Sequence, residues 1–248
     1  MEDFRGKKQR GERITSLTAY DYPTARLLDE AGIDIILVGD SLGMVVLGYE
    51  DTTEVTLEAM VHHTGAVARA VKRALLVADL PIHTYDSGEQ AVASARALVA
   101  AGAQAVKLEG GASHVRQIEA VVQAGIPLMG HIGMLPQSVR EEGGYKLKGR
   151  TQAEAEALLR DARAVEAAGA FSVVLEIVAA ETARQITEAI QIPTIGIGSG
   201  QSCDGQILVT HDLIGLFPWF TPKFVRPEAD VAGEIRKAAA AFIERTRG

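Results

Sequence analysis

The chain has 248 residues, 47% apolar and only 5% aromatic, with a formal net charge of -7. That length fits the roughly 250 residues typical of one parallel α/β barrel, and its Ala, Val, Ile, Leu and Gly content suits strands covered by helices. The acidic balance argues against nucleic acid, whose phosphates require clustered Lys and Arg, and the lone Cys203 excludes a disulfide framework or a thiolate zinc site.

In chain order, short apolar runs alternate with Ala-rich amphipathic stretches. Strands are expected at 16–20, 33–39, 74–79, 103–109, 126–131, 171–176, 194–198 and 207–210, and helices at 22–31, 57–71, 88–101, 113–124, 152–168 and 179–190. Ala31-Gly32, Ala101-Gly102, Ala124-Gly125 and Ala168-Gly169 each precede a strand closely, where glycine serves as a helix C-cap. Eight strand-and-helix units predict a (β/α)8 TIM barrel. A single domain is expected over 1–248, with an added amphipathic helix at about 228–248. No Gly-rich dinucleotide fingerprint follows the first strand, so a doubly wound nucleotide fold ranks a distant second. The stretch 133–150 after the fifth strand exceeds ordinary loop lengths and reads as a lid. The long uncharged stretch 120–139 is broken by Gly and Pro, and 1–13 lacks a secretion signal, so a soluble cytoplasmic protein with no membrane partner is expected.

Ionisable residues fall at the strand ends: Asp40 after the second, Asp79, Glu109, His131 and Glu176 closing the third to sixth. In such barrels these ends converge on the face that carries the active site. Any one acid there has a plainer explanation as a helix cap. Together they follow buried apolar runs, where unpaired charges cost several kcal/mol unless compensated. Asp40, Asp79 and Glu109 supply hard oxygen ligands suited to Mg2+, with Mn2+ or Co2+ able to substitute. Lys107 lies two residues before Glu109, hence on the same strand face, and leaves room for a substrate carboxylate. His131 reads as a substrate contact, against a core histidine that is merely hydrogen-bonded. Glu176 follows an apolar strand that raises its pKa toward the range of a general acid/base; a salt bridge with a lysine is the plainer alternative. The run 196–200 resembles a phosphate loop but is explained equally well by tight packing. His62, His63 and Cys203 read as structural.

Several segments then carry a resemblance: Thr18-Ala19-Tyr20-Asp21, Leu37 through Met44, Leu76-Val77-Ala78-Asp79-Leu80-Pro81, Val106-Lys107-Leu108-Glu109-Gly110-Gly111, Gly130-His131-Ile132-Gly133 with Pro136-Gln137-Ser138, Gly143-Gly144-Tyr145-Lys146, Gly196 through Gly200 and Asp204-Gly205-Gln206. In order and spacing these resemble the ketopantoate hydroxymethyltransferase family over nearly the whole chain. The resemblance implies an α/β barrel holding Mg2+ at Asp40, Asp79 and Glu109. It also implies that Ser41 and Lys107 contact the 2-oxo acid and that Glu176 is the catalytic acid/base; Asp40, Asp79 and His131 are expected at the substrate site with them. The implied reaction carries a hydroxymethyl group from 5,10-methylenetetrahydrofolate to 3-methyl-2-oxobutanoate through an enolate, the first committed step toward pantothenate. A homodecamer is implied as well. The sequence departs from the family pattern at Thr53-Glu54 and Ile82-His83, and stops at Arg247-Gly248 without the acidic tail of many members. The rival readings are a Mg2+-dependent 2-oxo acid lyase or mutase of the isocitrate lyase type, and an inactive barrel scaffold.

Overall fold

The computed structural model describes residues 4–248. Eight parallel strands close in sequence order into a barrel: β1 (Ile14–Thr18), β2 (Ile35–Val38), β3 (Leu75–Asp79), β4 (Ala105–Glu109), β5 (Leu128–Gly133), β6 (Ser172–Glu176), β7 (Thr194–Ile197) and β8 (Gly205–Leu208). The helices are α1 (Phe4–Gln9), α2 (Tyr22–Ala31), α3 (Leu42–Val45), α4 (Leu57–Ala68), α5 (Gly88–Ala100), α6 (Val115–Gln123), α7 (Val139–Glu142), α8 (Gln152–Ala167), α9 (Ala180–Ala189), α10 (Thr210–Leu213) and α11 (Val231–Arg247). The chain divides into two compact units, 1–207 carrying the barrel and 208–248 carrying α10 and α11.

Local chemistry sets the element ends. Asp21 caps α2 by accepting from the Thr24 amide at 2.8 Å, with Pro23 in the first turn, and Thr151 and Glu154 form a reciprocal capping box on α8. Gly32 closes α2 in the left-handed region at φ 87°, as its Ala-Gly signal predicts.

Two apolar clusters follow from the period of two along each strand. One lies between strands and helices and includes Ile36, Leu76, Leu108, Val173 and Leu175. The other fills the barrel interior with Ile14, Ile35, Leu37, Leu75, Val77, Ala105, Met129, Val174 and Ile195, joined by Phe4. Continuing the inward series by two gives Leu75, Val77, Asp79 on β3, Ala105, Lys107, Glu109 on β4, Met129, His131 on β5 and Val174, Glu176 on β6. The apolar filling therefore gives way to a polar layer where the strands end.

The expected strands at 16–20 and 207–210 each form two residues earlier, as β1 and β8. The hydrogen bond from the Ile14 amide to the Asp204 carbonyl, at 3.1 Å, draws both segments toward their N-terminal ends to close the barrel. The stretch 133–150 is not structureless: it contains a 3-10 turn, Pro136–Ser138, and then α7.

Candidate active site

Strand register builds the centre. Asp79 pairs in register with Lys107, Glu109 with His131, and Gly133 with Glu176. The Lys107 ammonium donates to both oxygens of Asp79 at 2.7 Å and lies 3.9 Å from Glu109 Oε1. Asp40 joins from the loop after β2, its backbone amide 3.5 Å from Asp79 Oδ2. His131 stands between two acids, Nδ1 3.7 Å from Glu109 Oε1 and Nε2 3.4 Å from Glu176 Oε2. Asp40, Asp79, Lys107, Glu109 and His131 are buried, whereas the Glu176 side chain keeps 14% of its surface open. The five strand-end residues thus do meet, and Ser41 lies beside them with its hydroxyl 2.8 Å from that of Tyr20.

Four carboxyl groups surround one ammonium, and their protonation reflects it. Burial, reinforced by the charge of Asp79, pushes Asp40 up to about 7 against the pull of Lys107. Asp79 is raised by burial despite Lys107, and Glu109 is raised well above the usual carboxylate range by burial and its acidic neighbours. Glu176 is pushed up to about 8, first by burial and then by Asp40 and Asp79, with Lys107 opposing. Burial alone would discharge Lys107, but the surrounding carboxylates outweigh it and hold the ammonium charged. His131 is pushed far down by burial and by Lys107. It is therefore neutral, and the 3.0 Å contact of Nε2 with the Met134 carbonyl requires the proton there. No lysine pairs directly with Glu176 among the described ion pairs, so the salt-bridge alternative does not describe it.

The donor set fits a hard divalent cation. Glu109 Oε1 and His131 Nδ1 are both buried, 3.7 Å apart, and neither forms a hydrogen bond. Excess carboxylate charge, hard oxygen donors and an acceptor without a donor are the chemistry that a cation completes. Among the described residues, no three His, Cys, Asp and Glu side chains are already gathered as a metal cage. The ion pair with Lys107 occupies both oxygens of Asp79, so a cation would have to compete with it.

Sequence reasoning quoted Gln137 only as part of a motif, yet it is buried among these acids. Its side-chain amide donates to Asp40 Oδ2 at 2.8 Å, and its backbone amide donates to Glu109 Oε2 at 3.1 Å. A polar residue following proline in the long segment after β5 was the available signal. That segment is fastened elsewhere too: Arg140 Nε donates to Asp51 at 2.6 Å and Arg140 Nη2 to Glu54 at 3.3 Å. The departure at Glu54 thus gains an ion pair, while His83 takes the left-handed region at φ 64° in the loop after β3. His63 contacts the Tyr20 carbonyl at 2.6 Å through Nδ1, a structural tie, and Cys203 is buried and free.

An eight-stranded barrel whose strand ends converge on a buried acid/base centre defines an α/β-barrel enzyme. The ketopantoate hydroxymethyltransferase family matches over residues 1–248, and the chain belongs to that family of transferases. It is 53% identical over 248 residues to the 3-methyl-2-oxobutanoate hydroxymethyltransferase of Ignicoccus hospitalis, covering 100% of this chain and 94% of that one. The protein of the same description from Hyperthermus butylicus is 54% identical, with 100% and 86% covered. In fold, the chain is similar to a phosphonopyruvate hydrolase solved with oxalate and Mg2+, at a TM-score of 0.68 and 14% identity over 98% of this chain and 86% of the other.

Proposed function

We propose that the protein transfers a hydroxymethyl group from 5,10-methylenetetrahydrofolate to 3-methyl-2-oxobutanoate, giving 2-dehydropantoate, in the cytoplasm and with Mg2+. The observation that carries this reading is the convergence of four acids and one lysine at the strand ends, in a chain of this family. Asp40, Asp79 and Glu109 would hold the cation. Bound there, it would offset their charge and withdraw electron density from the 2-oxo group, which acidifies the C3 proton.

Each side chain then has a part. Lys107, kept charged by its carboxylates, and Ser41 would orient the substrate carboxylate and 2-oxo group, with His131 as a further contact. Glu176, the acid with an open face, would take the C3 proton as that carbon bonds to the folate methylene carbon. Both carbon–nitrogen bonds of that methylene would break, one water would supply the hydroxyl oxygen, and the C3 proton and a water proton would pass to the two folate nitrogens. Its pKa near 8 lets it exchange protons near neutrality. Assembly of ten copies is part of the same reading, supported by the exposed apolar residues Ile235, Phe242 and Ile243 on α11. The likeness to a phosphonopyruvate hydrolase is one of fold at 14% identity, so the lyase reading gains no separate support.

Deuterium exchange at C3 of 3-methyl-2-oxobutanoate, followed by NMR, tests the proposal. Exchange that requires Mg2+ and stops with EDTA, with ketopantoate formed only when methylenetetrahydrofolate is added, is the expected result. Cleavage of the oxo acid without folate, or no exchange in cation-replete protein, would refute it.

A further inference from the structure

Within unit 1, the segment Met134–Gln137 touches four of the acid/base residues at once. The Met134 amide donates to the Glu176 carbonyl at 2.8 Å, and its carbonyl faces His131 Nε2 at 3.0 Å. Three residues on, Gln137 spans Asp40 and Glu109 as described, and its Nε2 also donates to the Leu80 carbonyl at 3.0 Å. The Tyr85 hydroxyl donates to Gln137 Oε1. Both amide hydrogens and the amide oxygen are therefore committed, which fixes the orientation of the group.

A primary amide suits this place for a chemical reason. It gives hydrogen bonds to two acceptors and takes one from a hydroxyl while adding no charge to an already acidic centre. Methionine would fill the volume and supply none of these bonds. Buried at 4% exposure, Gln137 fixes one oxygen of Asp40 through its side chain and one of Glu109 through its backbone amide, leaving Glu109 Oε1 as a buried oxygen without a hydrogen bond.

We propose that Gln137 is a positioning residue: its side-chain amide orients the Asp40 carboxylate for a divalent cation, while its backbone amide ties Glu109 to the same segment, so that residues 134–142 respond when a cation binds. The inference rests on the cation site in the proposed function. A tie that merely fills a polar hole would affect folding stability but leave cation affinity unchanged. A residue that orients partners of a metal acts through affinity instead.

The test titrates the full-length protein with Mn2+, read by EPR, in wild type, Gln137→Met and Tyr85→Phe. Gln137→Met should weaken Mn2+ binding roughly 10- to 100-fold. Tyr85→Phe should weaken it less, since the amide keeps its bonds and loses only the hydroxyl that orients it. Turnover of Gln137→Met should recover at high cation concentration, with the half-saturating concentration shifted by the same factor as the affinity. Cation should slow amide exchange across 134–142 in wild type and not in Gln137→Met. Unchanged Mn2+ affinity in Gln137→Met, or lost turnover that no cation concentration restores, would overturn the inference alone. Wild-type protein that takes up no Mn2+ would overturn the proposed cation site and this inference together.

Discussion

Lys107 donates to both carboxylate oxygens of Asp79 at 2.7 Å, although the two residues are 28 positions apart, because β3 and β4 pair them in register. Both groups are buried, so the pair is held by geometry that returns part of a large desolvation cost. A buried pair of this kind is fragile to loss of one member.

Lys107→Met should therefore destabilise the fold by roughly 3–5 kcal/mol near neutral pH, as the Asp79 charge is left without its partner. The loss should shrink at acidic pH, where Asp79 takes up a proton. Adding Asp79→Asn should cost less than the sum of the two single changes. Urea unfolding at several pH values measures all three, and additive costs would show that the pair is not coupled.

Glu176 offers a pH signature. Its pKa is raised from 4.5 to about 8, so between those values the folded protein keeps a proton that the unfolded chain has lost. Stability from this group is full below about 4.5 and declines as pH rises toward 8. The rate of C3 proton exchange should climb over the same range as the carboxylate forms, with the midpoint drawn lower by bound cation. Glu176→Gln should remove that limb and slow turnover by roughly 10²- to 10⁴-fold while cation affinity stays nearly constant. A rate-against-pH curve unchanged in the variant would remove Glu176 from the chemistry.

Gly133 closes β5 beside the same acid at φ 101°, where a Cβ would lie 2.4 Å from the Glu176 carbonyl oxygen and 2.7 Å from Val178. Gly133→Ala should lose about 1–3 kcal/mol of stability from backbone strain and lose activity as well, by displacing the β6 end. Gly125→Ala is the control: its φ is 81°, but nothing lies within 4 Å of the added carbon. Thermal unfolding and turnover of the two variants side by side decide this. If they behave alike, the contact with Glu176 has no consequence.

Much of the barrel is readable along the chain. The inward series Leu75, Val77, Asp79 and Ala105, Lys107, Glu109 are period-two patterns within five-residue strands, and a charge ending such a series stands out. Family resemblance named the same residues. The strand bounds at β1 and β8 slipped by two because barrel closure, not local propensity, decides which amides pair there.

The sequence by itself determined the number of strands, the alternation that faces apolar residues inward and the identity of the acids at the strand ends, since these depend on neighbours within a turn or a strand. Only the tertiary structure decided that His131 stands between Glu109 and Glu176 with its Nε2 on the Met134 carbonyl, and that Gln137 reaches Asp40 across 97 positions. Such contacts depend on how the barrel brings distant loops together. A hydrogen bond depends on distances of a few tenths of an ångström, which no local pattern of residues encodes.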